Sequence, residues 1–324
     1  MSQSTYNNPF IELADRLSPT EFELLELPGC DHFSPAGHLW RREECEALAM
    51  AMAARRPLLV RGEAGTGKSQ LARAAAQVLN GPPPLVEVIH PRFEALDLLY
   101  RFDVVRRLAD AQAQRLKKNN TPYVEPGCLW QAFKRMQPEQ PLPVLLIDEI
   151  DKADADVPNA LLDVLGNRAF NVAPLNNRCV RAPEGRLPLI IITTNEEREL
   201  PAAFVRRCVV LNLNPPSDEG GGEEFMSWLE TRGRAHRHLQ IAEPLYRLAA
   251  RQVLADRRET RRLGYPPVGL AEYIDLLSAL HDLSASLSGD ERSAHQQALL
   301  SRLSRYVLVK NAQQDQSRPA LESA

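Results

Sequence analysis

A chain of 324 residues with 44% hydrophobic content has room for about two domains and a substantial core. Its 39 basic residues against 42 acidic ones leave a formal net charge of −3, which gives no global attraction to nucleic acid or to an anionic membrane. No apolar run approaches the ~20 residues of a membrane helix, and the polar opening Met1 to Asn8 lacks a signal peptide's basic and apolar parts, so a cytoplasmic, membrane-free protein is expected.

The first 40 residues mix short amphipathic pieces with Pro9, Pro19, Pro28 and Pro35 and carry no nameable chemistry. From Arg42 to Arg55 a Glu- and Ala-rich run predicts a helix, and Pro57-Leu58-Leu59-Val60 predicts a buried strand. That strand enters Gly62-Glu63-Ala64-Gly65-Thr66-Gly67-Lys68-Ser69, which fits the phosphate-binding loop G-x-x-x-x-G-K-[ST] at every fixed position. Glycines let the backbone curl so that successive N–H groups face phosphate oxygens at close approach. Lys68 adds a point charge for the β- and γ-phosphates, and the Ser69 hydroxyl is a candidate ligand for Mg²⁺. Gln70 opens the Ala-rich helix that leaves the loop and runs to Leu79. The plainer alternative, a flexible glycine turn, has no need of a Lys-Ser pair opening a helix.

Leu85 to Ile89 reads as the next strand. His90 behind it is better explained as a capped polar group than as a nucleotide contact. An Arg-rich helix is expected from Asp103 to Leu116; Arg101, Arg106 and Arg107 could grip an acidic partner or a phosphate backbone, but a charge-laced helix face is the plainer reading. Val144-Leu145-Leu146-Ile147 is a fully apolar strand ending in Asp148-Glu149, which places both acids at the carboxyl edge of the sheet beside the phosphate loop. There Asp148 would hold the metal and Glu149 would orient and polarise the attacking water, against the bland reading of a strand that merely ends in acids.

After a helix near Pro158 to Leu165, the segment Ala169 to Val180 alternates apolar and polar residues around Asn176-Asn177 as a hairpin does. Leu189 to Ile192 is another buried strand, and Asn195 beyond it can sense the γ-phosphate or its water, though a lone Asn is more often a turn former or cap. Arg206 and Arg207 precede the strand Val209 to Leu213; either is a candidate to reach a neighbouring subunit's nucleotide, and either would serve as a surface charge. Apolar strands alternating with helices define an α/β fold, a P-loop αβα sandwich on a mainly parallel sheet. Past Gly220-Gly221-Gly222 the periodicity is helical throughout, predicting an all-α domain. There His236 and His238 lie in an Arg-rich linker, Thr231 to His238, where metal binding is not expected. Five cysteines (Cys30, Cys45, Cys128, Cys179, Cys208) form no C-x-x-C pair and read as reduced thiols.

The phosphate loop, Asp148-Glu149, Asn195 and Arg206-Arg207 occur in the order and spacing of AAA+ ATPases. The text around them, notably Asp97 to Asp103, Pro126 to Leu129, Leu146 to Ala153 and Thr194 to Leu200, resembles the MoxR branch. Behind the N-terminal extension read over 1–40, the resemblance implies a nucleotide-binding core over 41–215, with an insertion near 91–126 and a β-hairpin near 169–182. It implies a helical lid over 216–310, and the polar composition beyond reads as a flexible tail over 311–324. The resemblance implies ATP with Mg²⁺ bound at the subunit junctions of a self-assembled ring, commonly of six, that remodels a protein client, often with a von Willebrand A domain partner. One departure stands out, since Tyr265 to Glu272 lacks the arginine that such lids present to the γ-phosphate, and Arg258, Arg261 and Arg262 upstream read rather as solvated charges.

The leading expectation is therefore an ATP-hydrolysing, chaperone-like machine. The second is a nucleotide-gated assembly switch with slow hydrolysis, as in conflict or defence systems, motivated by the missing lid arginine. A DNA-acting motor is disfavoured because no basic arm or recognition helix is evident.

Overall fold

The structure is a computed structural model that describes residues 8–18, 20–30 and 33–309. The tail expected over 311–324 lies outside the described residues. In chain order the elements begin with α1 (Pro9–Arg16), β1 (Glu23–Leu27), β2 (Ala36–Trp40), α2 (Arg42–Ala54), β3 (Leu58–Arg61), α3 (Lys68–Val78) and β4 (Leu85–Val88). Next come β5 (Tyr100–Phe102), α4 (Val104–Gln112), β6 (Val124–Pro126), α5 (Cys128–Arg135), β7 (Val144–Asp148), α6 (Asp156–Asn167), β8 (Ala169–Val172) and β9 (Arg178–Arg181). The chain continues with β10 (Leu189–Thr194), α7 (Ala202–Val205), β11 (Val209–Asn212), α8 (Glu223–Ala235), α9 (Glu243–Arg262), α10 (Leu270–Leu283) and α11 (Gly289–Leu308).

By contacts the chain forms two units. The first takes the chain up to Glu21, then Arg41–Gly62 and Lys68–Asn212; the second takes Phe22–Trp40, the loop residues Glu63–Gly67 and everything described from Leu213 on.

The first unit is built on a five-stranded sheet of order β11-β3-β10-β7-β4 with every neighbouring pair parallel, as the apolar strand runs led one to expect. Central strands β3, β7 and β10 are buried on both faces, so they read as unbroken Leu/Val/Ile runs rather than alternations. Edge strands β4 and β11 expose Val86, Val88 and Val210. Helix α3 buries Ala72, Ala74, Ala75 and Ala76, small side chains that let its backbone lie close to the sheet. Register sets Thr194 opposite Arg61 and Val88 opposite Asp148, so β3, β7 and β10 all finish at one edge.

Two antiparallel pairs decorate this unit. One is the hairpin β8–β9, whose turn places Asn176 and Asn177 both at φ 56, a left-handed conformation that Asn tolerates. The other, β5–β6, frames α4 and is absent from the sequence reading. Its strands are too short for an alternation to register, and α4 itself buries no side chain.

The second unit packs α8 to α11 around Phe225, Leu229, Val253, Tyr273, Leu277 and Leu300. It also holds the antiparallel hairpin β1–β2, within the stretch read above as packing pieces. Residues Thr231 to Ala235 are not a linker but the last turns of α8. Their arginines are accommodated by snorkelling: Arg232 lies over the Trp228 ring at 4.3 Å, and Arg234 reaches Glu230 at 3.1 Å and Glu243 at 2.7 Å.

Gly127, which opens α5, lies against backbone: a Cβ there would stand 2.4 Å from the Asp97 carbonyl oxygen. Its own N–H donates to the Leu99 carbonyl at 2.9 Å, so the segment has little freedom to retreat. We expect Gly127→Ala to cost about 1–3 kcal/mol of stability, read from the urea midpoint, because overpacking forces backbone shifts.

Candidate functional site

The phosphate loop leaves the buried end of β3 and closes on the first turn of α3. Lys68, buried at 7% exposure, donates from Nζ to the Gly62 carbonyl at 2.9 Å and to Asn195 Oδ1 at 2.7 Å. A lysine this deep must have its donors satisfied, and these bonds hold it across the mouth of the loop. Within the loop, Thr66 Oγ1 donates to the Glu63 carbonyl at 3.0 Å, closing the turn. Gly65 and Gly67 have φ of +76° and +97°, where an L side chain is strained. A Cβ on Gly65 would meet Ala271 Cβ at 2.6 Å, whereas one on Gly67 would enter open space, so only the first glycine is also required by contact. Ala64 is exposed, and Gln70 Oε1 accepts from Arg73 at 2.9 Å.

Across the edge, Asp148 ends β7 and accepts the Ser69 hydroxyl at 2.9 Å on Oδ2 and 3.1 Å on Oδ1. It also accepts the hydroxyl of Thr193, which is completely buried on β10. The same Thr193 oxygen accepts the backbone N–H of Glu149 at 2.9 Å. Glu149 is left-handed, at φ 60° and ψ 48°, which swings its side chain out of the strand direction. One carboxylate oxygen takes Lys152 Nζ at 2.6 Å and the other takes Asn195 Nδ2 at 3.3 Å. Its hydrogen bond to Glu149 raises the Lys152 ammonium pKa above the ordinary lysine value, so Lys152 stays charged. Buried Asp151 accepts the N–H of Glu197 at 2.9 Å and ties the turn after β7 to the turn after β10. The structure thus gathers Lys68, Ser69, Asp148, Glu149 and Asn195 into one hydrogen-bonded group. Lys152 and Thr193 belong to it as well and were not singled out from sequence, because neither residue type marks a motif alone.

Arg206 and Arg207 stand apart from that group. Both are exposed at the end of α7, where Arg207 donates to the Ala203 carbonyl at 3.4 Å. Arg206 lines a cavity of about 520 Å³ with Arg61, Glu196 and Arg198. In the second unit Arg262 pairs with Glu259 at the surface, but Arg258 donates to the Asp218 and Gly220 carbonyls and Arg261 to Asp218 and Glu63, so these two are not simple solvated charges. The most deeply held arginine is Arg257, which the sequence reading passed over. Its face could have been found from Tyr246, Ala250 and Val253, buried residues at helical spacing that lead directly to it.

His90 caps its own turn, accepting the Arg92 N–H at 3.2 Å. The His236 and His238 rings lie 5.9 Å apart, and among the described residues no His/Cys/Asp/Glu cluster forms a metal site of three or more ligands. Burial pushes the Cys208 thiol up to about 12 and raises Cys128 too, so neither is a nucleophile at neutral pH. Among the described residues no helix is long and apolar enough to cross a membrane.

A glycine loop joining a buried strand to a helix, with a Ser/Asp pair at the carboxyl edge of a parallel sheet, defines a P-loop α/β domain. Residues 57–208 match the AAA domain of the dynein-related subfamily. The chain is 33% identical over 140 residues to the chaperone protein ClpB 1 of Nostoc sp., covering 42% of this chain and 13% of that one. It is 31% identical over 137 residues to ClpB of Mycoplasma genitalium, covering 41% and 16%. It therefore spans a small fraction of the length of these relatives. A crystal structure of NtrX from Brucella abortus in complex with ADP aligns with a TM-score of 0.46 at 15% identity, over 79% of this chain and 52% of that one.

Thr193→Val keeps the shape of β10 but removes a donor from Asp148 and an acceptor from Glu149. Loss of a buried hydrogen bond to a charged group predicts about 1.5–3 kcal/mol of destabilisation, measured by urea unfolding.

Proposed function

We propose that this chain binds and hydrolyses ATP as a MoxR-type AAA+ ATPase and works in a self-assembled ring, probed first as a hexamer, to remodel a protein client. The observation that carries the reading is the meeting of Lys68 and Ser69 with Asn195 and Asp148, side chains 127 and 79 residues apart that converge on one loop. The residues fit a magnesium triphosphate: Ser69 and Asp148 offer the hard oxygen ligands Mg²⁺ prefers, and the loop's left-handed glycines leave its backbone uncluttered. When bound, the cation offsets charge on the β- and γ-phosphates.

Lys68 holds the phosphates by its charge, and exchanges its bond to Asn195 for one to ligand. Asn195, released, is placed to hydrogen-bond the γ-phosphate or the attacking water. Glu149 takes the water's proton toward its carboxylate, which requires that Lys152 or Asn195 yield one oxygen. Arg206 or Arg207, each exposed and without an acidic partner among the described residues, suits a contact in trans on a neighbour's nucleotide. The ClpB relatives support a chaperone-like use of the cycle, and the MoxR resemblance supports a von Willebrand A domain partner. A nucleotide-gated switch with slow turnover is the second reading, favoured by the Lys152–Glu149 bond, which occupies the candidate base.

Glu149→Gln should retain ATP binding while steady-state phosphate release falls by about 10²–10⁴-fold, the usual worth of a positioned general base. Undiminished release would remove Glu149 from its role. Light scattering with ATP and Mg²⁺ should show assembly, and mixing Arg206→Ala or Arg207→Ala protomers with Lys68→Ala protomers identifies which arginine acts in trans. A lone protomer turning over at full rate would defeat the ring.

A further inference from the structure

We infer that Arg257 is a positioning residue that sets the phosphate loop through the Glu63 side chain. The inference rests on the nucleotide-binding reading above and adds a determinant within the second unit, to which Glu63 and Arg257 both belong.

Arg257 is 1% exposed in the middle of α9, a place where an unpaired guanidinium would be very costly. Its donors are matched one by one. Nη2 reaches both Glu63 oxygens, at 2.8 and 2.7 Å, Nε reaches Asp218 Oδ2 at 2.8 Å, and Nη1 reaches the Val268 carbonyl at 2.9 Å. The Phe225 ring covers the guanidinium at 4.9 Å. Asp218, itself 5% exposed, is shared with Arg261, whose second contact is again Glu63, at 3.4 Å. Two arginines and two carboxylates thus close a ring of charge, and the only member on the phosphate loop is Glu63.

A carboxylate on a loop that receives a triphosphate is at first sight a liability, because like charges repel. Here it is withdrawn and neutralised by Nη2 of a guanidinium whose Nε and Nη1 are held by Asp218 and the Val268 carbonyl, a division of donors that lysine cannot reproduce. Because Glu63 is held at both oxygens, the loop backbone beneath it is held too. Close contact of Gly65 with Ala271 fixes the loop a second time, two residues on. The loop is thereby kept in its curled form before any phosphate arrives, and the ordering cost of binding is lowered. Arg257 does this without touching the nucleotide.

The charge argument and the positioning argument predict opposite signs, so one substitution separates them. Glu63→Gln removes a negative charge from the phosphate site, which by repulsion alone would tighten binding. If the pair positions the loop, the same change weakens ADP affinity about tenfold, the worth of one charge-assisted bond, measured by calorimetry on the full chain. The melting temperature without nucleotide should stay near wild type, because Asp218 continues to pair Arg257. Amides from Gly62 to Ser69 should exchange faster with deuterium in the nucleotide-free variant, a readout independent of ligand. Arg257→Lys should act in the same direction, and the double variant should be no weaker than the worse single. ADP bound as tightly or more tightly by Glu63→Gln, or loop amides as protected as in wild type, overturns the inference. Failure of the wild type itself to bind ADP or ATP sinks the nucleotide reading instead, and the amide exchange then decides alone whether the pair orders the loop.

Discussion

Asp148 is a carboxylate at the end of a strand buried on both faces, and an ionised group in that position must be given donors or the strand cannot end there. Two hydroxyls answer the requirement, Ser69 from the phosphate loop and Thr193 from the neighbouring strand. Each bond constrains more than the carboxylate. Ser69 is tied to the first turn of α3, and Thr193 passes the restraint on by accepting the Glu149 N–H. Parallel pairing of β7 with β10 and of β10 with β3 is what brings these three strand ends together, so the chemistry of the edge follows from the register of the sheet.

The turn after β7 shows how the chain departs from regular structure where function is expected. A left-handed Glu costs about 1–3 kcal/mol, which a fold tolerates only if the surroundings dictate it. Here the N–H is held by Thr193, the carboxylate by Lys152 and Asn195, and the following residues by Asp151 through the Glu197 N–H. With that backbone, Glu149 points along the edge toward Asn195 rather than continuing the strand alternation.

Much of this was legible in sequence, for identifiable reasons. Uninterrupted apolar runs name the central strands, because only a strand buried on both faces has no polar alternation, and the polar residue that interrupts each run marks the edge where chemistry can sit. Glycine spacing names the phosphate loop, since its backbone geometry excludes other residues. By contrast, β1–β2 and β5–β6 are pairs of strands only five and three residues long, too short for an alternation to stand out. Arg257 was hidden in another way. It belongs to a run of arginines, Arg257, Arg258, Arg261 and Arg262, that composition assigns to solvent, and only its phase relative to Val253 and Ala250 distinguishes the inward one.

The two ionic groups differ in a way that suits different tasks. Lys152 and Glu149 are 35% and 31% exposed, and an ion pair with that much solvent is worth about 0–1 kcal/mol, so it breaks readily when water or a phosphate competes. Arg257 and Asp218 are 1% and 6% exposed at the side chain, where separating the partners would leave a charge stranded in the interior. A group that must change partners during a reaction is served by the first kind of pair, and a loop that must keep its shape before the reaction by the second. Glu63 stands between them, 35% exposed yet held at both oxygens, which is the arrangement that the proposed positioning of the loop requires.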